Sequence, residues 1–172
     1  MEYNIEEGRM CNDVRFLAGR LVELLRGKNL TFATAESCTG GAVSQAVTSV
    51  AGCSDVMRGA VVAYHNEVKI NLLGVQDATL EAFGAVSETV VREMVCGAAH
   101  SLGADCVVAT SGIAGPGGGT VDKPVGTVWV ALKIKDDVTA TLLQLHDEGR
   151  EENIKNTVVK VLEMAIGKLE LY

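Results

Sequence analysis

Short apolar runs alternate with helical spacing along this chain, and that alternation restricts its fold more than any other feature. The run from Leu30 to Ala35 is typical of a buried strand, and residues 42–50 predict the helix that follows it. Strands that alternate with helices indicate a layered α/β domain. Aromatic residues make up only 4% of the chain, so Val, Leu, Ala and Ile must fill the core, as in parallel sheets covered by helices.

The same reading continues to the end of the chain. Asn12 or Asp13 is placed to cap a first helix that ends before Gly27, and residues 1–10 ahead of it are expected to be a loose tail. Later strands are predicted over 59–64 and 104–109. A short helix is predicted with Asn66 as its cap, a longer one opens at Ser87, and a last one covers 151–171. Residues 125–134 and 138–146 predict a hairpin, so the sheet should be mixed. No linker divides residues 11–172, which are expected to form a single domain.

The net charge of −7 argues against nucleic acid as the main partner, because phosphate neutralisation dominates such binding. No apolar run approaches the roughly 20 residues that span a bilayer, so we expect no membrane insertion. The five cysteines form no Cys-x-x-Cys pair, and from the acidic, polar start we expect no signal peptide. We therefore expect a cytoplasmic protein with reduced thiols. The three histidines lie far apart without ligand spacing, so we expect no metal site.

A turn rich in hydroxyl groups, Thr34-Ala-Glu-Ser-Cys-Thr-Gly-Gly41, joins the first strand to the next helix. The first N–H groups of that helix are expected to point beyond the strand's carboxyl end, where they could bind an anion or a developing oxyanion. Ser37 would lie beside them. The alternative is that Ser37 or Thr39 only caps the helix, as such residues commonly do.

A second polar cluster, Tyr64-His-Asn-Glu-Val-Lys69, follows the next strand. If the two strands are adjacent and parallel, this cluster faces Ser37 across the crevice where α/β sheets bind ligands. Lys69 could then accept the hydroxyl proton of Ser37 if burial lowered its pKa by about 3 units, at a cost of roughly 4 kcal/mol. The alternative is a solvated lysine on a short helix.

A glycine-rich loop, residues 111–120, follows the strand at 104–109. It lacks the Lys-Ser/Thr of a P-loop and, with Thr120 in place of a third glycine, also fails the dinucleotide-binding pattern. Its N–H groups could line a pocket for a phosphate or a nucleoside. The alternative is a plain connection whose glycines serve tight turns.

These segments together resemble the CinA C-terminal domain family, whose enzymatic members are nicotinamide-nucleotide amidases. The resemblance rests on four ordered motifs, at 34–41, 59–69, 84–87 and 110–120, and runs from about Val14 to the last helix. It implies a three-layer α/β/α sandwich with a mixed, mainly parallel sheet that includes the late antiparallel hairpin. It also implies hydrolysis of the carboxamide of nicotinamide mononucleotide to nicotinic acid mononucleotide and ammonia.

The implied mechanism is metal-free and needs no cofactor, with Ser37 as nucleophile, Lys69 as base and Tyr64 assisting. Before its last helix the family often shows Gly-Asp-Arg, where this chain has Glu148-Gly-Arg150, so Arg150 is a candidate phosphate contact. The expected partner is a small nucleotide substrate, and we expect a homo-oligomer. The substrate-binding residues are expected to be Thr39, Gly40, Gly41, Asn66, Thr110, Ser111, Gly112, Gly115, Gly117 and Arg150.

Two other interpretations stay open at this point. The chain could be a catalytically inactive nucleotide-binding or regulatory module of the same fold. It could also be a cysteine hydrolase that uses Cys38, since thiols are better nucleophiles than hydroxyls at neutral pH.

Overall fold

The computed structural model describes the backbone of residues 5–172 and the side chains of residues 14–172. A short 3₁₀ turn at Cys53–Asp55 precedes the second strand. The helices and strands, in chain order, are α1 (Ile5–Gly27), β1 (Phe32–Glu36), α2 (Ala42–Thr48), β2 (Met57–Val62), α3 (Asn66–Leu73), α4 (Asp77–Phe83), α5 (Glu88–Leu102), β3 (Cys106–Gly112), β4 (Thr127–Ile134), β5 (Asp137–Gln144) and α6 (Arg150–Leu171).

Most of these elements lie where the sequence pattern predicts them, and two differences are informative. Helix α1 begins at Ile5, so Asn12 and Asp13 lie inside it, and the prediction that one of them caps it is wrong. Residues 1–4 of the expected tail lie outside the described residues. Helix α4 was not predicted, because its seven residues are too few to show a clear helical apolar period.

The five strands form one mixed sheet in the order β2-β1-β3-β4-β5. Strand β1 pairs in parallel with β2 and with β3, whereas β4 is antiparallel to both β3 and β5. Strand β4 therefore runs opposite to the other four. The expected mixed sheet with a late antiparallel hairpin is confirmed.

Alternating residues of β1 separate two apolar layers. Phe32 faces the layer packed by α1, α2 and α6. Ala33 and Ala35 face the opposite layer, which α3 and α5 cover. The expected three-layer α/β/α arrangement is therefore confirmed. None of the helices in the described part of the chain has the length and the apolar run that a membrane span requires.

The central position of β1 determines where the polar turn lies. Glu36 at the end of β1 is in register with Val62 of β2 and with Thr110 of β3. The segments that follow these three strands therefore lie together at one edge of the sheet, where open α/β sheets bind ligands. Three residues separate the end of β2 from the start of α3, which brings the first turn of α3 to the same edge.

Candidate active site

Ser37 and Lys69 meet at this edge of the sheet, 32 residues apart in sequence. Ser37 is the first residue after β1, and its N–H donates to the carbonyl of Thr110 over 2.9 Å. Lys69 lies in α3 with its Nζ 3.1 Å from Oγ of Ser37. The nucleophile and the base of the predicted pair are thus within hydrogen-bond reach of each other.

Lys69 is buried, with only 1% of its surface exposed, so the alternative of a solvated lysine is wrong. No carboxylate of the described residues forms an ion pair with it. Burial lowers the pKa of Lys69 from its ordinary value of 10.5, because the ammonium form loses its hydration. This is the direction that a general base requires.

The hydrogen-bond partners of Lys69 also suit its neutral form. Its Nζ lies 2.7 Å from the carbonyl oxygen of Ala63 and 3.3 Å from that of Tyr64. A neutral amine has two N–H donors and one lone pair, and carbonyl oxygens can only accept. With both N–H groups donated to these carbonyls, the lone pair is left for the hydroxyl proton of Ser37.

Cys38, the neighbour of Ser37, is poorly suited to act as the nucleophile. Its side chain is buried in the apolar layer with α1, α2 and α6, with 6% of its surface exposed. Burial raises the pKa of the thiol to about 12, and the carboxylate of Glu36 acts in the same direction. A thiolate is therefore scarce near neutral pH, and the thiolate is the reactive form of cysteine.

Glu36 is a residue of the site that the sequence interpretation missed. It is fully buried, and five donors surround its carboxylate. These donors are the hydroxyls of Thr34 and Thr39 and the N–H groups of Gly41, Val43 and Ser44, at 2.7–3.0 Å. The sequence signal was an acidic residue at the inner end of an apolar strand, just before a helix start where negative charge is favourable.

This arrangement corrects the expectation for the start of α2. Its first N–H groups do not point outward toward a ligand, because Glu36 accepts those of Gly41, Val43 and Ser44. The N–H of Gly40 is also used, since it donates to the carbonyl of Ser37. Neither Ser37 nor Thr39 caps the helix by a side-chain hydrogen bond to it, so the capping alternative is wrong as well.

Tyr64 and Arg150 meet on the exposed side of the site. The guanidinium of Arg150 donates to the hydroxyl of Tyr64 over 2.6 Å and to the carbonyl of Gly115 over 3.0 Å. Arg150 thus links the segment after β2 to the glycine-rich loop. The hydroxyl of Tyr64 is bonded to Arg150, whereas its backbone carbonyl accepts from Lys69.

The glycine-rich loop is fixed mainly by contacts inside the protein. A Cβ on Gly112 would lie 2.7 Å from the carbonyl oxygen of Thr127, and one on Gly115 would lie 2.6 Å from the side chain of Val125. The hydroxyl of Ser111 donates to the carbonyl of Ala85. Close packing therefore explains these positions, while Gly117 is exposed with open space around it.

Two further predicted residues, Thr110 and Asn66, differ in their surroundings. Thr110 is fully buried, and its hydroxyl lies 2.8 Å from that of Thr39. Asn66 is exposed and is the first residue of α3. The prediction that Asn66 caps α3 is wrong, because the side chain of His65 accepts the N–H of Glu67 instead.

Asn153 is a second residue that the sequence interpretation missed. It is buried on α6, and its amide donates to the carbonyl of Ala114 over 3.0 Å. It also contacts Asp147 and the N–H of Glu148, so it ties the glycine-rich loop to the segment before α6. The signal was a polar residue on the inward-facing side of an otherwise apolar helix. Within residues 14–172 no cluster of three or more His, Cys, Asp or Glu side chains could hold a metal ion.

Comparison with known proteins places these features in a family. Residues 14–169 match the family model of the CinA C-terminal domain. A CinA-like protein of Cytophaga hutchinsonii is 45% identical over 148 residues, which cover 86% of this chain and 35% of that protein. A protein of Enterobacter agglomerans named nicotinamide-nucleotide amidohydrolase PncC is 48% identical over 127 residues, covering 74% of this chain and 77% of that protein.

The solved structures agree with the fold. The competence/damage inducible protein CihA from Agrobacterium tumefaciens has a TM-score of 0.89 and 42% identity, covering 92% of this chain and 96% of that one. A CinA superfamily protein from Klebsiella pneumoniae has the same TM-score at 32% identity. The chain spans about a third of the length of the first CinA-like relatives, which it covers at 35% and 29%.

Proposed function

This chain belongs to the CinA C-terminal domain family, and from that premise we propose that it is an amidohydrolase that converts nicotinamide mononucleotide to nicotinic acid mononucleotide and ammonia. One relative carries the name of that activity. The observation that supports it most is the buried amine of Lys69, 3.1 Å from the hydroxyl of Ser37. A serine beside a desolvated lysine can attack an amide without a metal or a cofactor.

The first half of the reaction forms an ester on Ser37. Nζ of Lys69 accepts the hydroxyl proton while Oγ of Ser37 bonds to the carboxamide carbon, giving a tetrahedral oxyanion. Lys69, now an ammonium, returns the proton to the amide nitrogen, the carbon–nitrogen bond breaks and ammonia leaves. Proton transfer of this kind contributes about 10²–10⁴-fold to rate.

The oxyanion needs donors that are not already used inside the protein. Among the described residues, the N–H groups of Cys38 and Thr39 donate to no other residue, unlike those of Gly40 and Gly41, and the N–H of Cys38 contacts only its own thiol. They follow Ser37 directly in the turn. We assign them to the oxyanion, because preorganised N–H donors stabilise charge that develops in the transition state.

The second half of the reaction releases the acid. A water molecule attacks the ester carbon and gives a proton to the neutral amine of Lys69. The bond from that carbon to Oγ of Ser37 then breaks, and Lys69 returns the proton to the departing Oγ. The product is the carboxylic acid, which ionises in water, and the enzyme regains its starting state.

The rest of the substrate is assigned to the loops around this pair. Arg150 presents a guanidinium beside the glycine-rich loop, and such a planar fork suits the phosphate of a nucleotide. Its bond to Tyr64 links that phosphate contact to the segment that carries the Lys69 acceptors. In this proposal Tyr64 assists by keeping that segment in place.

A nucleotide-binding or regulatory module of the same fold is the second candidate. The observation that favours it is that the CinA-like relatives are about three times longer than the matched region, and their names state no reaction. A module of this kind would bind the nucleotide without turning it over.

The two candidates are separated by measuring both ammonia release and binding with nicotinamide mononucleotide. We expect the wild-type chain to release ammonia and nicotinic acid mononucleotide in equal amounts, and Ser37→Ala to bind the nucleotide without releasing ammonia. Binding by the wild-type chain without any ammonia release would support the module and contradict the amidohydrolase.

A further inference from the structure

The buried carboxylate of Glu36 is a charged feature of the site that the proposed reaction does not use. Burying a carboxylate is costly unless donors replace its hydration. Here three N–H groups and two hydroxyls do so, and all five partners donate. That set matches a carboxylate that can only accept.

We propose that Glu36 is a positioning residue that holds the turn of residues 37–41 in its reactive geometry, an inference that rests on the proposed function. Its carboxylate binds the hydroxyl of Thr39 and the N–H of Gly41 at the far end of the turn. The turn closes on itself where the N–H of Gly40 meets the carbonyl of Ser37. The backbone that follows the nucleophile is therefore held by one carboxylate.

Two hydroxyl groups, those of Thr39 and Thr110, connect the carboxylate of Glu36 to β3. Thr39 donates its proton to Glu36, so the 2.8 Å contact between Thr39 and Thr110 must use the proton of Thr110. The carbonyl of the same Thr110 accepts the N–H of Ser37. Ser37 is thereby held by a residue whose side chain is oriented by Glu36.

The backbone of Glu36 reaches the base as well. Its carbonyl accepts the N–H of Ala63 over 2.8 Å, and the carbonyl of Ala63 accepts Nζ of Lys69 over 2.7 Å. The residue before the nucleophile is therefore linked to the base through Ala63. Small errors in such geometry are costly, since a displacement of about 1 Å can lower a rate about 100-fold.

The test compares Glu36→Gln with the wild-type chain and with Glu93→Gln as a matched control. Gln keeps the shape of Glu but replaces one acceptor oxygen with an N–H donor. Glu93 serves a similar purpose at α4, where its carboxylate accepts the N–H of Gln76 and the hydroxyl of Thr79. It therefore controls for the general effect of losing a helix-capping carboxylate.

Two readouts are measured on each folded variant. The first is kcat and KM for ammonia release from nicotinamide mononucleotide. The second is the rate at which a fluorophosphonate labels Ser37, followed by peptide mass spectrometry, which reports on the nucleophile without the nucleotide. For Glu36→Gln we expect kcat and labelling to fall about 100-fold with KM within about threefold. For Glu93→Gln we expect both within about threefold of wild type.

Wild-type kcat and labelling in Glu36→Gln would overturn the positioning role while leaving the proposed function intact. Equal losses in Glu36→Gln and Glu93→Gln would overturn it too, since they would show a general effect on folding. If the wild-type chain neither labels at Ser37 nor releases ammonia, the proposed function itself fails.

Thr34→Val keeps the inference testable if Glu36→Gln does not fold. The hydroxyl of Thr34 donates to Glu36 over 3.0 Å from inside β1, and Val has nearly the same shape. We expect a drop in kcat of at least about threefold with KM unchanged, because one of the five donors is lost. An unchanged kcat would overturn the proposal.

Discussion

Replacing Lys69 with Met removes the amine while retaining most of the buried volume. The structure gives Nζ three partners, the hydroxyl of Ser37 and the carbonyls of Ala63 and Tyr64. Loss of the base should lower kcat about 10²–10⁴-fold, which corresponds to roughly 3–5 kcal/mol of transition-state stabilisation. KM should change little, because Nζ acts on the nucleophile and is not assigned a contact with the nucleotide.

The same substitution has a smaller effect on folding. The carbonyl of Ala63 loses a donor, which costs about 1–3 kcal/mol, but the penalty of burying an amine is removed. The two effects oppose each other, so we expect a folded variant whose free energy of unfolding is within about 2 kcal/mol of wild type. Denaturant unfolding checks this before any rate is compared.

The assay is steady-state ammonia release, with Lys123→Met as the matched control. The amine of Lys123 also donates to two backbone carbonyls, those of Phe83 and Val86, but within the described residues it forms no hydrogen bond with a serine hydroxyl. We expect this control to retain kcat within about threefold of wild type, since the effect requires a base beside a nucleophile. The double variant of Lys69→Met and Ser37→Ala should be no slower than either single variant, because the two residues act as one unit.

The assignment of Lys69 as the base would be refuted by a folded Lys69→Met protein whose kcat is within tenfold of wild type. A tenfold change corresponds to about 1.36 kcal/mol of the activation barrier. Equal losses in Lys69→Met and Lys123→Met would refute it in a different way. They would show that the carbonyl contacts of a lysine, rather than its basicity, carry the effect.

Further predictions concern pH, the neighbouring cysteine, helix packing and the phosphate contact. The kcat/KM should rise with pH and level off below 10.5, because burial lowers the pKa of Lys69 and its neutral form is the base. The stability of the wild-type protein should also rise with pH. The penalty for burying the charged amine is fully present below the lowered pKa of Lys69 and disappears as the pH rises to 10.5. Over that window the free energy of unfolding of the wild-type protein should increase relative to that of Lys69→Met. Cys38→Ala should retain most of the wild-type turnover. In the folded wild-type protein, Cys38 should resist alkylation by iodoacetamide at pH 8, because burial raises the pKa of its thiol to about 12. Rapid alkylation would contradict this. Gly97→Ala should lower the free energy of unfolding by about 1–3 kcal/mol or more in urea titrations, because its Cβ would overlap the carbonyl oxygen of Leu73; wild-type stability would contradict the close packing of α3 on α5. Arg150→Ala should raise KM for the nucleotide while leaving KM for a substrate without the phosphate unchanged, and an equal change for both would remove Arg150 as the phosphate contact.

The outline of the fold follows from local pattern. Apolar runs mark β1 and β3, Ser87 caps α5 by accepting the N–H of Val90, and Gly74 ends α3 in a left-handed conformation. Each of these signals acts within a few residues, so one sequence is enough to find them. The hairpin of β4 and β5 follows from the same short-range information.

The environment of Lys69 is different, because distant segments create it. A lysine on a short helix is usually solvated, and its own neighbours give no sign of burial. Strand β2 ends at Val62, two residues before the predicted end, and this leaves the carbonyls of Ala63 and Tyr64 free to accept Nζ. The third partner, Ser37, comes from another strand, so only the assembled sheet shows that Lys69 is a candidate base.

Glu36 shows a second limit of the pattern. The turn after β1 predicts unpaired N–H groups at a helix start, which is correct for helix geometry in general. The structure satisfies them from inside, with a carboxylate that arrives from the end of the preceding strand. The helix start is therefore identifiable from sequence, whereas the group that occupies it depends on which face of β1 each residue takes.

The covalent ester on Ser37 is the central claim, and trapping it with hydroxylamine tests it most directly. When nicotinamide mononucleotide is turned over with hydroxylamine present, we expect hydroxylamine to intercept the ester. The hydroxamate of nicotinic acid mononucleotide should then form at the expense of the acid, while ammonia release continues at the same rate. Ser37→Ala should give neither product. Ammonia release without any hydroxamate, or hydroxamate formation by Ser37→Ala at the wild-type rate, would contradict a serine ester.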